Sequence, residues 1–360
     1  MQHICIFTGA RPNFIKVAPI IRAIRQASDA GCAISEQLVY AGKADDPTLE
    51  SSLFDDLQMP RPDVYLGVDC ENLNELTGQV MSQFERYLDQ HPTDTVIVVD
   101  DLASTMAAAI VAKKRGIRLA HLVAGTRSFD IQMPKEINRL VIDGLSDLLF
   151  TAGVGSSSTA TREGAEMHKI YMVGNILMDT LRNNHSRLHR PDIVDGTTIC
   201  AGQYLVFTLN RKALLADRSR LAPMIDALMA CGLPVIAPLR PEAAAVVGAL
   251  LGDSHSVQII PSLPYLEFGW LTANARGIIT DSGNVAEEAT FNNVPCITLN
   301  SYTEHIETVK TGTNVLVGED AGRLAEALEQ MRQGVWKHSS LPDRWDGRTA
   351  ERIVQTLLDA

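Results

Sequence analysis

The sequence predicts an α/β protein built from two doubly wound parallel-sheet domains, with a ligand cleft between them. The chain has 360 residues, more than one hydrophobic core usually serves, so two domains are expected. Short apolar runs alternate with helical patterns in both halves, which is typical of βαβ units. A polar stretch at 183–196 separates the halves and predicts a hinge. We therefore place the domains at 1–172 and 190–345, with a C-terminal helix at 348–360 that packs back onto the first domain.

The first domain is predicted to hold five strands, each followed by a helical pattern. The helix after Pro12 has apolar residues spaced by three and four, which buries one face against the sheet; they are Phe14, Val17, Ile20, Ile21 and Ile24. At the end of the fourth strand we expect Leu122 and Val123 to be core residues. The predicted strands are Ile4–Phe7, Leu38–Tyr40, Val96–Val99, Leu119–Val123 and Leu148–Thr151.

The second domain repeats this alternation after the polar stretch. Its predicted strands are Leu205–Phe207, Val235–Ile236, Val257–Ile260, Ile278–Thr280 and Cys296–Leu299. Its predicted helices include Leu221–Ala230 and Ala321–Gln333. Ligands of doubly wound domains bind at the carboxyl ends of the strands, so both domains are expected to present those ends to the cleft.

Charge and cysteine pattern narrow the possible partners. The net charge of -11 at pH 7 argues against nucleic acid or an anionic membrane as a broad partner. Six scattered cysteines without C-x-x-C pairs predict buried free thiols of a reducing compartment; they are Cys5, Cys32, Cys70, Cys200, Cys231 and Cys296. A strand begins directly after Met1, and no signal peptide or membrane span is recognisable, so we expect a cytoplasmic protein.

Two segments predict phosphate binding, one in each half. Gly9 to Lys16 follows the first strand, and Thr280 to Glu288 lies between a late strand and a helix. Each places backbone N–H groups and the positive end of a helix where a phosphate fits. A two-phosphate ligand such as a nucleotide sugar would use both. The chain lacks a Walker loop, a GxGxxG fingerprint and metal-ligand spacing, so we expect no cofactor and no metal.

Seven motifs, spread nearly end to end along the chain, occur in order: Arg11 to Lys16, Asp101 to Thr105, Ala120 to Asp130, Met133 to Arg139, Val173 to Asn175, Asp281 to Glu288 and Gly312 to Gly318. Through these motifs the whole chain resembles the bacterial UDP-N-acetylglucosamine 2-epimerases, which have two Rossmann-like domains of the glycosyltransferase-B type. The resemblance implies a UDP-sugar ligand, a homodimer and a role in polysaccharide biosynthesis.

The resemblance also implies roles for single residues. It implies catalytic positions at Asp101, Glu136 and Lys16, although the Glu matched by Glu136 more plausibly supports structure. It implies substrate-binding positions at Arg11, Asn210, Arg211, Phe268, Ser282, Gly283, Asn284 and Glu288. Each has a plainer alternative, because Asp101 or Ser282 can cap a helix and Glu288 can lie on a solvated face.

Several departures from the family pattern fall where the family does its chemistry. In His-Val-Glu-Ala-Gly the Glu is Val123 here, and the first Glu of Pro-Glu-Glu-Ile-Asn-Arg is Lys135. The His of Leu-His-Arg is Asn210, and a His in a Pro-Val-His-Pro run is Arg240. The Arg of Thr-Glu-Arg-Pro is His305. In the Ser-Gly-Gly turn the last Gly is Asn284.

These losses leave two functions open. In the first, the chain interconverts UDP-N-acetylglucosamine and UDP-N-acetylmannosamine or a related nucleotide sugar with weakened or altered chemistry, and Asp100, Asp101 or Glu136 covers for the missing acids. In the second, the fold is re-employed as a UDP-sugar hydrolase, a transferase or a non-catalytic binding protein.

Overall fold

The computed structural model divides into two compact units. The first unit consists of Met1–Asn183 and Asp343–Ala360, and the second of Asn184–Pro342. Residues 195 and 196 of the predicted hinge, and residue 360 of the predicted C-terminal helix, lie outside the described residues. The described residues are 1–49, 51–194, 199–254 and 256–359.

A seven-stranded parallel sheet forms the centre of the first unit, in the order β3-β2-β1-β4-β5-β6-β7. The register places Ile6 between Leu38 and Ile97. The strands are β1 Gln2–Thr8, β2 Ile34–Tyr40, β3 Val64–Tyr65, β4 Thr95–Val99, β5 Arg118–Ala124, β6 Leu148–Thr151 and β7 Ile170–Met172. Its helices are α1 Arg11–Asp29, α2 Ser51–Leu57, α3 Leu73–Gln90, α4 Ala103–Lys114, α5 Pro134–Leu145, α6 Val154–Arg162, α7 Ile176–Asn184 and α15 Thr349–Asp359.

A six-stranded parallel sheet forms the centre of the second unit, in the order β10-β9-β8-β11-β12-β13. The strands are β8 Leu205–Phe207, β9 Val235–Leu239, β10 Val257–Pro261, β11 Gly277–Thr280, β12 Cys296–Thr298 and β13 Asn314–Leu316. The helices are α8 Lys212–Ala216, α9 Arg218–Ala230, α10 Pro241–Leu251, α11 Tyr265–Ala273, α12 Gly283–Phe291, α13 Glu307–Lys310 and α14 Ala321–Gln333. Short 3-10 turns lie at Met167–Lys169, His185–Arg187 and Asp192–Val194.

The predicted α/β class with two Rossmann-like domains is confirmed. Every predicted strand is present, and the apolar face predicted for α1 is buried. Sequence reasoning missed β3, β7 and β13, which have only two or three residues each. One core prediction is wrong, because Leu122 is buried whereas Val123 is only half-buried. The β5–β6 register shifts between Leu122 and Ala124, which leaves Val123 at an irregular point of the strand end.

Helix α15 lies in the first unit, although it follows the second unit in sequence. Its apolar face buries Ile353, Val354 and Leu357. Asp179 on α7 accepts hydrogen bonds from the backbone N–H groups of Thr349 (3.0 Å) and Ala350 (2.8 Å), so it serves the free N-terminal amides of α15.

All six cysteines are free thiols, as predicted, but their predicted burial is wrong for four of them. Only Cys5 and Cys296, which lie in strands, are buried. The other four lie in helix ends and loops, where apolar neighbours in sequence do not imply a place in the core. Cys200 is exposed, and Cys32, Cys70 and Cys231 are half-buried.

Candidate functional site

The strand order of each sheet reverses at one point, and the predicted site residues follow the strands at those points. In the first unit the order turns between β1 and β4, and in the second between β8 and β11. Arg11 follows β1, Asp101 follows β4, Arg211 follows β8 and Ser282 follows β11. Such switch points open a crevice at the carboxyl ends of the strands, where ligands of doubly wound sheets bind.

Asn13 organises the turn between β1 and α1. Its side-chain oxygen accepts hydrogen bonds from the N–H groups of Gly9 (2.9 Å) and Ala10 (3.2 Å). Its amide nitrogen donates to Asp100 Oδ2 at 2.8 Å, and Lys16 Nζ donates to Asp100 Oδ1 at 2.5 Å. Two of the amides predicted to meet a phosphate are therefore already satisfied within the turn. Asp100 is neutralised by a buried lysine.

Space is tight at the start of this turn. A Cβ atom built on Gly9 would lie 2.1 Å from Ser104 Oγ in the first turn of α4, so a larger residue there would force the Ser104 side chain to shift. The β1–α1 turn and the start of α4 thus approach each other closely.

Asp101 forms an ion pair and does not cap a helix. The first turn of α4 has no side-chain cap. Instead, Arg139 donates to Asp101 Oδ2 through Nε (2.9 Å) and Nη2 (2.5 Å), and Lys135 Nζ lies 3.3 Å from Oδ1. Burial opposes ionisation, but the charges of Lys135 and Arg139 hold the pKa of Asp101 below its usual value. Asp101 is thus an ionised and weakly basic carboxylate.

Glu136 holds the turn before α5. Its Oε2 accepts hydrogen bonds from the N–H and the hydroxyl of Ser128 (both 2.9 Å), and its Oε1 accepts from the N–H of Phe129 (3.0 Å). Burial opposes ionisation, yet these donors and Arg139 hold the pKa of Glu136 below its usual value. Phe129 has a left-handed backbone with φ of 60° and is 70% exposed. The contacts of Glu136 therefore maintain a strained turn.

A buried network of polar side chains supports the carboxyl ends of the strands in the first unit. His121 Nδ1 lies 2.6 Å from Asp143 Oδ1, and His121 Nε2 lies 2.9 Å from the carbonyl oxygen of Asp100. Both partners are acceptors, and each lies within hydrogen-bonding distance of one ring nitrogen of His121. Arg127 pairs with Asp143 Oδ2 at 2.7 Å and with both carboxylate oxygens of Glu163. This network of buried polar groups therefore holds the backbone of Asp100 in place.

Val123 has an unfavourable backbone conformation for its residue type. Its φ is 72°, in the left-handed region, which β-branched residues rarely adopt. Gly125, two residues on, has φ of 73°, and a Cβ there would lie 2.2 Å from the carbonyl oxygen of Ser156. The end of β5 therefore has a left-handed backbone at Val123, a conformation that the valine side chain disfavours.

In the second unit, Asp281 joins the ends of β8 and β11. Its Oδ2 accepts hydrogen bonds from the backbone N–H groups of Asn210 (2.8 Å) and Arg211 (2.6 Å). The Arg211 side chain donates to the Leu299 carbonyl (3.1 Å) and to Glu319 (2.6 Å). Arg211 is therefore anchored, whereas the side chain of Asn210 is exposed at the edge.

Helix α12 begins at the carboxyl end of β11 with an accessible N-terminus. Ser282 is its N-cap, and its hydroxyl accepts from the N–H of Val285 at 3.5 Å, so the plainer alternative for this residue holds. Gly283 is exposed and Asn284 half-exposed, and a Cβ on Gly283 would meet nothing within 4 Å. The cap leaves the first amides of the helix open to an anion.

Glu288, farther along α12, is buried and not on a solvated face. Burial, with the charge of Glu287 added, raises the pKa of Glu288 to about 8. Burial and the charge of Glu288 raise the pKa of Tyr265 well above its usual range, and the Tyr265 hydroxyl has no hydrogen-bond partner among the described residues. Phe268 is half-buried against a hydrophobic cluster of the second unit that includes Leu271 and Val285. Unpaired buried polar groups call for a partner.

Comparison with known proteins identifies the family to which this fold belongs. The family model for UDP-N-acetylglucosamine 2-epimerase matches residues 26–358. The chain belongs to the UDP-N-acetylglucosamine 2-epimerase family. It is 32% identical to the UDP-N-acetylglucosamine 2-epimerase of Methanocaldococcus jannaschii, over 99% of both chains. It is 33% identical to the UDP-2,3-diacetamido-2,3-dideoxy-D-glucuronate 2-epimerase of Pseudomonas aeruginosa, over 91% of both.

A solved structure of this epimerase family matches the whole fold. It is the crystal structure of the M. jannaschii UDP-GlcNAc 2-epimerase in complex with UDP-GlcNAc and UDP, with a TM-score of 0.85, 31% identity and complete coverage of both chains. The glycosyltransferase-B type of architecture implied by the sequence is thus confirmed.

Within this epimerase family, the departures of the present chain occupy two kinds of place. Val123, Lys135, Asn210 and Arg240 all lie at carboxyl-end turns, and the last three are exposed. His305, in contrast, is buried, with Nε2 at 3.4 Å from Glu287 Oε1. The first four thus lie at the turns after the strands, whereas the last makes a buried contact with α12.

Sequence reasoning missed four groups near the strand ends: Asn13, Arg139, Asp143 and Tyr265. Two of them carried a usable signal. Asn13 stands at the third position of a helix, where a side chain can bond the amides before it, and Arg139 lies one turn after Lys135. Asp143 joins α5 to β5 through His121, and the buried Tyr265 hydroxyl has no hydrogen-bond partner among the described residues. No local pattern marks either of them.

The described residues hold no group of three or more His, Cys, Asp or Glu suited to a metal ion. Among the helices formed by those residues, none combines the length and the apolar character needed to cross a membrane.

Proposed function

We propose that the chain binds a UDP-sugar and catalyses inversion at C2 of UDP-N-acetylglucosamine, or of a related nucleotide sugar, with weakened or altered chemistry. Family membership and the bound ligands of the M. jannaschii relative support the substrate class. A cytoplasmic location and a role in polysaccharide biosynthesis belong to the same proposal.

Two features of α12 together support UDP as the ligand. The N-terminus of the helix is accessible, and Glu288 farther along it is a buried acid. The open amides of Gly283 and Asn284 suit a diphosphate. Glu288 and the unpaired Tyr265 hydroxyl suit hydroxyl groups such as those of a ribose, which donate to the acid and accept from the phenol. In this proposal Phe268 and Arg211 complete the nucleotide site.

Inversion at C2 sets demands on the first unit. A base removes the C2 proton while UDP leaves from C1, which gives a glycal and free UDP. A proton then returns to C2 on the other face, and UDP adds back to C1. The site therefore needs two acid/base groups near the ring and cations for the departing diphosphate. Arg11 and Lys16 are the proposed cations.

The carboxylates that remain in the first unit are poor candidates for the base. Asp100 is paired with Lys16 and Asn13, Asp101 with Arg139 and Lys135, and Glu136 holds the Ser128–Phe129 turn. The pKa values of Asp101 and Glu136 are held below their usual values, so both carboxylates bind a proton weakly. We assign the base to Asp101, because its Oδ1 has only the longer contact to Lys135. Glu136 is the positioning residue, and turnover is expected to be slow.

Calorimetry with UDP and with UDP-N-acetylglucosamine tests the binding step. We expect dissociation constants in the ~1 μM to 1 mM range typical of substrates. Arg11→Ala is expected to weaken binding by about tenfold through loss of one phosphate contact. The matched control is Arg118→Ala, at the amino end of β5 and thus the opposite sheet edge, which should bind as the parent does. Absence of binding at millimolar ligand would refute the proposal.

We further propose a homodimer formed through the first unit. Apolar side chains between residues 129 and 167 are exposed to an extent that suits an interface; they are Phe129, Ile131, Ile137, Leu140, Val154 and Met167. Light scattering should give twice the monomer mass for the parent and the monomer mass for Leu140→Asp. A monomeric parent would refute the dimer.

A further inference from the structure

We propose that Asp100 is an internal competitor for the diphosphate: its carboxylate holds Lys16 in the free protein, and the ligand must displace it to bind that lysine. The inference rests on the proposed function, in which Lys16 is one of the cations for the diphosphate, and adds a regulation of the same site. It starts from the contacts of the turn after β1, at the switch point of the first unit.

The groups of this turn that were predicted to meet a phosphate are bound by side chains of the protein itself. The N–H groups of Gly9 and Ala10 donate to Asn13 Oδ1, at 2.9 and 3.2 Å. Lys16 Nζ donates to Asp100 Oδ1 at 2.5 Å. A carboxylate is the charged member of this set of acceptors. Asp100 therefore stands toward Lys16 as a phosphate oxygen of the ligand would.

The carboxylate of Asp100 is anchored by contacts that do not involve Lys16. Asn13 Nδ2 donates to Asp100 Oδ2 at 2.8 Å. The backbone N–H of Asp100 donates to the Leu122 carbonyl oxygen at 3.3 Å, and His121 Nε2 lies 2.9 Å from the Asp100 carbonyl oxygen. The φ of Asp100 is 58°, in the left-handed region, which Asp tolerates better than most residues. Asp100 is thus the fixed member of the ion pair.

Lys16 is the member that can exchange its partner. Its ammonium lies at the end of a flexible four-carbon stem and has three donors. The pair is largely buried without being sealed, because the side chain of Lys16 is 9% exposed and that of Asp100 is 17% exposed. A largely buried ammonium needs an anion beside it. Asp100 supplies that anion in the free protein, and a phosphate group would supply it in the complex.

This exchange sets the apparent affinity for the ligand. A ligand that binds only the released form of Lys16 has its affinity reduced by the fraction of molecules in that form. A released fraction of about one in ten weakens binding about tenfold. The ion pair of the free protein is therefore an autoinhibitory contact within the diphosphate site.

Calorimetry with UDP tests the competition in two variants that remove the charge of Asp100. Asn and Gly both suit a left-handed backbone, so Asp100→Asn and Asp100→Gly leave the turn unstrained. Each variant is expected to bind UDP about tenfold more tightly than the parent. Without UDP, each should melt at a lower temperature, because Lys16 loses its counter-ion. A residue with a merely structural role would lower both affinity and stability when replaced.

Asp147→Asn is the matched control. Asp147 pairs with Lys113 at 2.8 Å and directly precedes β6, at the amino ends of the strands and thus the opposite edge of the same sheet. The variant removes the same charge from the same kind of ion pair. Its affinity for UDP should equal that of the parent.

A crystal structure of the UDP complex shows the displacement directly. Lys16 Nζ is expected at about 2.7–2.9 Å from a phosphate oxygen and beyond the ~4 Å limit of an ion pair with Asp100. An unchanged contact between Lys16 and Asp100 in the complex, or equal or weaker UDP binding by the two Asp100 variants, would overturn the competition while UDP binding stands. Failure of UDP to bind the parent and both variants would overturn the proposed function as well.

Discussion

At the scale of single residues, two side chains lie in backbone settings that do not suit them. Val123 has a left-handed conformation, and Lys135 occupies a helix start that favours an acid. Such local conflicts are expected at functional positions, and both residues stand where the sequence resemblance implies a glutamate.

The strain at Val123 predicts a stabilising substitution. Asn tolerates φ of 72° far better than valine, whose strain is on the order of 1–3 kcal/mol. Because Val123 is only half-buried, little hydrophobic free energy is lost. We expect Val123→Asn to raise the free energy of unfolding of the first unit by about 1 kcal/mol in urea titrations.

Val98→Asn is the control for that measurement. Val98 is fully buried in β4 at an ordinary φ, so the same exchange should destabilise by about 3 kcal/mol or more. If Val123→Asn lowers the free energy of unfolding as much as Val98→Asn does, the left-handed backbone at Val123 does not destabilise the protein.

Glu288 predicts a pH dependence for UDP affinity. Its pKa of about 8 in the free protein leaves it mainly protonated at pH 7. Ribose hydroxyls that donate to the carboxylate favour the ionised form, so binding lowers this pKa and affinity rises with pH. Between pH 7 and pH 9 we expect calorimetry to show about tenfold tighter UDP binding. Glu288→Gln should give a flat profile, and an unchanged slope in that variant would assign the effect elsewhere.

At the scale of elements, sequence patterns predicted what local periodicity determines. The bounds of β6, β8 and α14 agree with the prediction, because each is a clear apolar or amphipathic run. The strands β7 and β13 were missed, although β7 directly precedes a motif that the resemblance identified and β13 lies within another. Their pairing with a neighbouring strand, and not their own sequence, makes them strands.

The candidate site was predicted in the same uneven way. Turn residues such as Ser282 are local in sequence and were found. The partners of Asp101, Glu136 and Glu288 depend on tertiary contacts, so ionisation states and pairing did not follow from the sequence. Val123 shows most clearly what sequence patterns cannot predict. An apolar residue at a strand end was predicted to lie in the core, but its backbone conformation places it at the edge of the sheet.

The stability of helix α15 is predicted to depend on the side chain of Asp179. Removal of the Asp179 carboxylate leaves the N–H groups of Thr349 and Ala350 without their acceptor. Asp179→Ala is therefore expected to cost about 1–2 kcal/mol, as for a lost N-cap. Hydrogen exchange should show weaker protection across 349–359. Asp179→Asn, which keeps one of the two acceptor oxygens, should retain part of it, and equal protection in the parent and in Asp179→Ala would contradict this role.

At the scale of the whole molecule, two parallel-sheet units carry complementary sets of groups at their switch points. The second unit offers helix amides, a buried acid and an unpaired phenol, which suit a nucleotide. The first offers carboxylates that are paired with cations and therefore suit proton abstraction poorly. In the proposed function, nucleotide recognition is intact and the chemistry at C2 is impaired.

Exchange of the C2 proton in deuterated water, followed by NMR with UDP-N-acetylglucosamine, tests that account most directly. The parent should bind UDP yet incorporate deuterium slowly. Val123→Glu combined with Lys135→Glu should raise the rate by ~10²-fold or more, because it restores two acid/base groups. Rapid exchange in the parent that Asp101→Asn abolishes, with no gain in the double variant, would contradict the account and show that Asp101 suffices for the full reaction.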